Sequence, residues 1–354
     1  MLLVLYKCNK IKLIVNFAIF DIILPMNKDI KKIAIVRLSA LGDIVNSAVV
    51  LQFIKNMYPY AKVEWIVEES FATILKNLIE IENIHTINLK KVKKEKSFTL
   101  LLQNIKKLKS LDNYDIIIDI QGLLKSSIVA RILGKRTHGF DKNSTRESIA
   151  SFFYKTTTNI PYESGVVLRN CAVVGDALGF EITQEMILNK KPIFTITKEF
   201  SHPNKTIAFV IGASWDSKIY PKEKVTEVCN VLKEDVKIIW ASQEEKLNAE
   251  WICDNSEYAT LAPKLSLDEL VSYISSVDLL IGNDTGPTHI AWAQNISSIT
   301  LFGPTNSRMI YETPVNVSIK SPSEVNILKI DKNDFSIKEI KVSSIVETAK
   351  ELLQ

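Results

Sequence analysis

The amino-acid sequence predicts an α/β protein of two Rossmann-like lobes, each built on a parallel sheet, facing one another across a cleft. Three observations predict it. The chain has 354 residues, more than one ordinary core of roughly 100–200 residues takes up, so two cores are expected. Short, continuously apolar runs recur through both halves and alternate with amphipathic stretches, the pattern of strands covered on both faces and joined by helical crossovers. Between the two series lies a polar stretch, Glu181 to Pro203, carrying Lys190, Lys191, Pro192 and Pro203, which reads as an interdomain linker.

Taken in order, residues 1–25 (MLLVLYKCNKIKLIVNFAIFDIILP) are apolar but interrupted by Lys7, Lys10, Lys12 and Asp21. No uninterrupted apolar span of about 20 residues remains for a membrane helix, and no small-residue cleavage site marks a signal peptide. Met26 stands just before the first convincing strand, so translation is expected to begin there, with residues 1–25 either not native to the protein or a loosely attached extension. The first lobe, 26–185, carries strands at KIAIVRL, KVEWIVE, Ile84–Leu89 and Tyr114–Ile120, with helices over Asp43–Met57, Ser97–Leu108 and Leu123–Leu133. A linker, 186–203, leads to the second lobe, 204–354. Its strands are expected at Lys205–Ser214, Val236–Ser242, Val277–Asp284 and Ile296–Thr305, and its final helical stretch can close on either lobe, a return to the first included.

Composition narrows the function. Hydrophobic residues at 46% with 24% charged describe a globular chain. A net charge of +4 is too mild to argue for nucleic acid. Cys8, Cys171, Cys229 and Cys253 are far apart and form no CxxC pair, which points to a reducing compartment and to buried thiols rather than zinc or disulfides. GxGxxG after the first strand, GxxxxGK[ST], HExxH and GxSxG are all absent, so dinucleotide, P-loop, zinc-peptidase and serine-hydrolase chemistry lack their motifs.

In an open parallel sheet, ligands gather beyond the carboxyl ends of the strands, and four such junctions carry candidate chemistry. In VRLSALGDIVNS, Asp43 reads either as a helix cap or as a general base at the mouth of the cleft. In GNDTGPTHIAWA, an apolar strand runs into Asp284, Thr285 and Gly286, and a helix begins with Pro287 near its first position. Free amides beside a residue without a Cβ suit a diphosphate; His289 joins this group through its neighbours, while a cap for Asp284 and a packed histidine are the plain alternatives. In GASWDSKIYPKE, Ser214 offers a hydroxyl and Lys218 a charge for a leaving phosphate, against an idle surface lysine. In WASQEEKLNAEW, Glu244 stands where a carboxylate accepts from ribose hydroxyls, with Glu245 able to exchange roles and a solvated helix start as the plain reading. A dense run, Lys90, Lys91, Lys93, Lys94 and Lys96, together with Lys125, Arg136, Arg146 and Arg169, makes the first lobe basic. It reads as a solvated loop, or as a grip on an anionic acceptor or membrane.

Read together, VRLSALGDIVNS, VEWIVEESFA, YDIIIDIQGLLKSS, HGFDKNSTRESIASFFY, SWDSKIYPKE, NDTGPTHIAWA and TLFGPT occur in the order found in the lipopolysaccharide heptosyltransferases, and the chain resembles that family from about Lys31 to its end. Within it, WIVEE, IDIQGLLKS and GFD followed by RE resemble the branch that adds the first heptose of the inner core. The resemblance implies a GT-B fold, ADP-L-glycero-D-manno-heptose as donor, Kdo-lipid A as acceptor, inversion at the anomeric carbon and no required metal or other cofactor. It implies Asp43 as base; Lys218 with Asp284, Thr285 and Gly286 on diphosphate and heptose; Ser214 and His289 assisting; Glu244 on the ribose; and Lys90, Lys94, Lys125 and Arg146 facing the acceptor. It further implies a cytoplasmic protein held peripherally on the inner face of the inner membrane. Pro287, where the family carries a larger aliphatic residue, and a loop one residue shorter before Glu244 depart from the pattern. A related transferase with another acceptor and a non-catalytic nucleotide-sugar sensor are the alternatives.

Overall fold

The computed structural model describes residues 30–111 and 113–354; the extension expected over 1–25, with Met26 and Cys8, lies outside the described residues. The first sheet holds β1 (Lys32–Val36), β2 (Lys62–Glu68), β3 (Ile81–Ile87), β4 (Ile116–Asp119), β5 (Thr137–Phe140) and β6 (Thr156–Thr158), ordered β3-β2-β1-β4-β5-β6 and parallel throughout. The second holds β7 (Thr206–Val210), β8 (Asp235–Ile239), β9 (Ala259–Leu261), β10 (Leu279–Asn283), β11 (Ser297–Phe302) and β12 (Asn316–Lys320), ordered β12-β11-β10-β7-β8-β9 and likewise parallel. The two orders are the same doubly wound topology repeated. Each reverses direction at one place, between β1 and β4 and between β7 and β10, and there the crossovers part to leave a crevice.

Alternation along the strands shows how the layers stack. Ile33 and Ile35 of β1 join one apolar cluster while Ala34 and Val36 join another on the opposite face, because successive side chains of a strand point to opposite sides. In β7, Ala208 and Val210 belong to the same cluster as Ile33 and Ile35, whereas Ile207 and Phe209 belong to a third. One apolar layer therefore lies between the two sheets and is shared by both lobes. It is filled by α1 (Leu41–Ala48), α2 (Val50–Met57), α6 (Val166–Leu178), α10 (Leu267–Ile274) and α11 (Gly286–Ala293). The outer face of the first sheet is covered by α4 (Phe98–Lys109) and α5 (Leu124–Leu133), preceded by the short α3 (Leu89–Glu95). Helices α8 (Lys222–Leu232), α9 (Gln243–Asp254) and α12 (Val342–Leu352) cover the outer face of the second sheet, so the C-terminal helix packs on α8 and β11 rather than on the first lobe.

The connecting stretch is anchored. After α7 (Gln184–Leu188), Lys190 is buried and its amine donates to Ala293 O at 3.1 Å and to Asn295, beside the Trp292 ring, at the end of α11. Burial in this apolar setting pushes the amine down to about 7. Arg169, one of the basic residues offered for anion binding, is also internal: its guanidinium donates to the carbonyls of Ile160, Pro161 and Ser144, so it ties down a loop rather than facing a ligand. Cys171 and Cys229 are buried thiols, each pushed up by that burial.

Candidate active site between the lobes

The first lobe contributes the turn between β1 and α1. Asp43 is the third residue of α1, not its cap: the cap position is Ala40, and Asp43 Oδ2 reaches back to accept from the Ala40 N–H at 3.1 Å. Its other oxygen pairs with Arg37 Nη2 at 2.7 Å, and the side chain keeps 26% of its surface open. Arg37 is buried and held in turn by Nη1 donating to Ile120 O at 2.6 Å. A carboxylate fixed from both sides yet open to the cleft is what a base on an incoming hydroxyl needs.

The second lobe contributes the turns after β7 and β10. Asp284 is not a cap either, since Thr285 holds that position of α11 and Pro287 lies in the first turn. The Asp284 carboxylate, 5% exposed, accepts instead from three side chains: Lys218 Nζ at 2.6 Å, Thr305 Oγ1 at 2.8 Å and His289 Nε2 at 3.3 Å. Burial alone would push this carboxyl up, but the His289 hydrogen bond and the Lys218 charge outweigh it and hold the group well below the usual carboxylate range. Lysine has three donors and Asp284 engages one, so Lys218 still has N–H groups for an anion. Asn46 of α1 donates across the lobes to Met309 O at 2.8 Å and lies 3.4 Å from His289 Nδ1. The Met309 carbonyl orients the amide NH2 toward the ring, which leaves Nδ1 as acceptor and Nε2–H facing Asp284.

Helices α1 and α11 meet with their N-termini together, and glycine is what permits the approach. A Cβ on Gly42 would fall 2.3 Å from His289 Cδ2, and one on Gly286 would fall 2.5 Å from Leu41 Cδ2. The two positive helix ends border a cavity of about 410 Å³ walled by Asp43 from one lobe and Ser214, Lys218, Asp284 and Thr285 from the other. A narrower pocket of about 260 Å³ shares Thr285 and runs past Gly212, Trp240, Glu245 and Leu265. Glu245 is the internal member of its pair: it closes a capping box with Ser242 and accepts from Ala241 N–H at 2.7 Å. Glu244 is exposed and borders a third pocket of about 300 Å³ beside Lys222 and Asn248.

The acceptor-side candidates separate. Lys125 Nζ donates to Ser39 Oγ at 3.0 Å, beside the turn that carries Asp43, and desolvation there pushes its amine down. Lys90 Nζ sits 4.1 Å over the Phe71 ring, a cavity wall, and donates to Ser70 Oγ at 3.3 Å. Lys94 is exposed on α3 and Arg146 lies 3.9 Å from Glu147; neither borders the cavity. Arg37, Asn46, Thr305 and Arg308 were not singled out by sequence reasoning. Arg37 and Asn46 lie inside VRLSALGDIVNS and Thr305 ends TLFGPT, so position within a motif was their one signal. Arg308 borders the cavity while donating to Tyr162 O at 3.0 Å, a contact across the lobes that no local pattern announces.

Two doubly wound lobes facing across a cleft, with a carboxylate on one and a lysine beside a helix N-terminus on the other, match the architecture of the GT-B glycosyltransferases. The model of glycosyltransferase family 9 (heptosyltransferase) matches residues 102–332. Lipopolysaccharide heptosyltransferase 1 of Campylobacter coli is 38% identical over 342 residues, 91% of this chain and 98% of that protein. The Escherichia coli K12 protein of the same name is 26% identical over 79% of this chain and 90% of its own length. Among solved structures, E. coli heptosyltransferase WaaC with ADP-2-deoxy-2-fluoro heptose superposes with a TM-score of 0.74 at 23% identity, covering 90% of this chain and 99% of that one. The chain belongs to glycosyltransferase family 9, the heptosyltransferases.

Proposed function

We propose that the protein transfers L-glycero-D-manno-heptose from ADP-heptose to the Kdo of Kdo-lipid A, with inversion, in building the lipopolysaccharide inner core. The observation that carries it is the single cavity bounded by Asp43 on one lobe and by Lys218, Asp284 and Thr285 on the other. The C. coli and E. coli relatives named lipopolysaccharide heptosyltransferase 1, and the ADP-fluoroheptose bound by WaaC, support the donor and the pathway step.

In this reading the diphosphate lies at the α11 N-terminus, against the Thr285 and Gly286 amides and Lys218, with Ser214 and His289 beside it. The narrower pocket past Trp240 and Leu265 takes the adenine, and Glu244 or Glu245 the ribose. The Kdo hydroxyl approaches from the Lys90 and Lys125 side, and Asp43 takes its proton as the oxygen attacks the anomeric carbon. The glycosidic bond forms as the bond to the diphosphate breaks, and ADP departs with the electron pair. Lys218 and the helix amides meet the negative charge that develops on the leaving oxygen, so no metal is required. The enzyme works in the cytoplasm, peripherally on the inner face of the inner membrane, and handles no nucleic acid. Among the described residues no helix is long and apolar enough to cross a membrane.

Purified protein supplied with ADP-heptose and Kdo-lipid A should yield a product heavier by one heptose, by mass spectrometry, at a rate unaffected by EDTA. Absence of that product, with ADP released equally without acceptor, would refute the reading.

A further inference from the structure

The charge of this chain is concentrated in one place. Residues 89–136 hold twelve lysines and arginines against four carboxylates, a local net of +8 in a chain whose total is +4. The segment builds α3, α4 and α5, which lie on the outer face of the first sheet, away from the second lobe.

The same layer exposes large apolar side chains. Phe98 is 69% and Leu102 50% exposed, four residues apart on one face of α4 that continues into Lys106. Leu124 and Ile128 make a similar pair on α5, which packs beside α4. On the other side of α5 runs a short 3-10 turn, Ser148–Phe153, with Ile149 59% and Phe152 83% exposed. A helical layer with outward aromatic and aliphatic side chains amid lysines has the make-up of an interfacial surface, not of one that faces water alone.

The layer also opens onto the acceptor side of the cleft. Lys125, in the first turn of α5, reaches Ser39 next to the Asp43 turn, while the Leu124 N–H is held by Glu147 at 2.7 Å. An acceptor whose acyl chains stay in a bilayer and whose sugar must reach Asp43 would come past this edge.

We propose that the outer face of α4, α5 and the Ser148–Phe153 turn is a docking surface for an anionic lipid bilayer, the apolar side chains entering the headgroup region and the lysines meeting lipid phosphates. The proposal rests on the acceptor reading above and adds the surface that serves it. Charge complementarity selects this occupant: a second copy of the chain would bring the same excess of positive charge against itself.

The test is co-sedimentation of the full chain with vesicles of phosphatidylcholine alone and of phosphatidylcholine mixed with phosphatidylglycerol. The wild-type chain should bind the mixed vesicles, bind the neutral ones poorly, and lose binding as salt rises. Leu102→Glu with Phe152→Glu, and separately Lys106→Glu with Lys109→Glu, should each weaken partitioning by about tenfold or more. Both variants should keep the thermal midpoint and the turnover on detergent-dispersed acceptor. The lysine pair guards against misfolding of the apolar pair, since both lysines are exposed helix positions. Binding of both variants equal to wild type, equal binding of wild type to neutral vesicles, or a dimer that the variants abolish in sedimentation velocity would each overturn the proposal. Failure of the transferase reading shows separately, as absence of turnover by wild type in detergent.

Discussion

Asp43 and Asp284 both lie at a topological switch point, Asp43 in the first turn of the helix that follows β1 and Asp284 directly after β10, yet their surroundings are opposite. Asp43 has one ion-pair partner, one backbone N–H and an open flank. Asp284 is enclosed by Lys218, His289 and Thr305 and its charge is locked in. A carboxylate that must gain a proton during turnover has to be reachable. One that must hold a lysine in place has to be desolvated and saturated with donors. In the proposed reading an aspartate at a strand-to-helix junction thus serves either purpose, according to what the tertiary structure places around it.

The comparison breaks most sharply at Asp43. Asp43→Asn should lower turnover by about 10²–10⁴-fold, the usual contribution of a general base, with a smaller loss of thermal stability than any change at Asp284. Near-normal turnover on the true acceptor would remove Asp43 from the mechanism. Asp284→Ala should show the reverse emphasis, costing about 3–5 kcal/mol of folding stability because Lys218 is left buried without its partner; denaturant titration measures this, and a loss near zero would contradict the enclosed ion pair. Lys218→Met should reduce turnover by about 10²–10³-fold through poorer stabilisation of the leaving diphosphate, read as a fall in kcat larger than any rise in KM for the donor.

Acid titration sharpens the contrast between saturated and open carboxylates. Glu64 of β2 is buried, and although burial would push it up, hydrogen bonds from Tyr114, His85 and Asn83 and its contact with Lys32 bring it to about 2. Its folded value is depressed, so its stabilising effect is complete above the unfolded glutamate value of about 4.3 and is lost as pH falls toward the folded one. Between those limits the thermal midpoint of the wild-type chain should fall more steeply than that of Glu64→Gln; parallel curves would deny the network its role. The smallest effect is expected at the ribose end. Glu245→Ala should cost about 1 kcal/mol by removing a capping box and should also raise KM for the donor, whereas Glu244→Ala, at an exposed position, should leave stability unchanged. A rise in KM from Glu244→Ala alone would assign the ribose to Glu244.

Much of this was legible in the sequence. The strand-to-helix junctions at Asp43, Ser214, Glu244 and Asp284 were readable because parallel strands are apolar throughout and stop abruptly at small and acidic residues. Which junction residue caps its helix was not. Ala40 and Thr285 hold the cap positions: Asp43 lies at the third helical position, where it reaches back to the Ala40 N–H while pairing with Arg37, and Asp284 lies one residue before its helix cap and pairs with Lys218. Arg169 read as part of a basic surface and Lys190 as part of a polar linker, and both are buried, since backbone carbonyls of other segments satisfy them.

Order along the chain, periodicity and residue type determined two parallel α/β lobes, the strand ends that carry polar side chains, and likeness to one transferase family. Only the folded chain decided which lobe's aspartate is open and which is enclosed, that Asn46 reaches His289 across the lobes, and that lysines and exposed aromatics share one outer face. The reason is distance: such contacts join residues up to 263 positions apart, and hydrogen bonds, burial and screening depend on separations in space that no local pattern encodes.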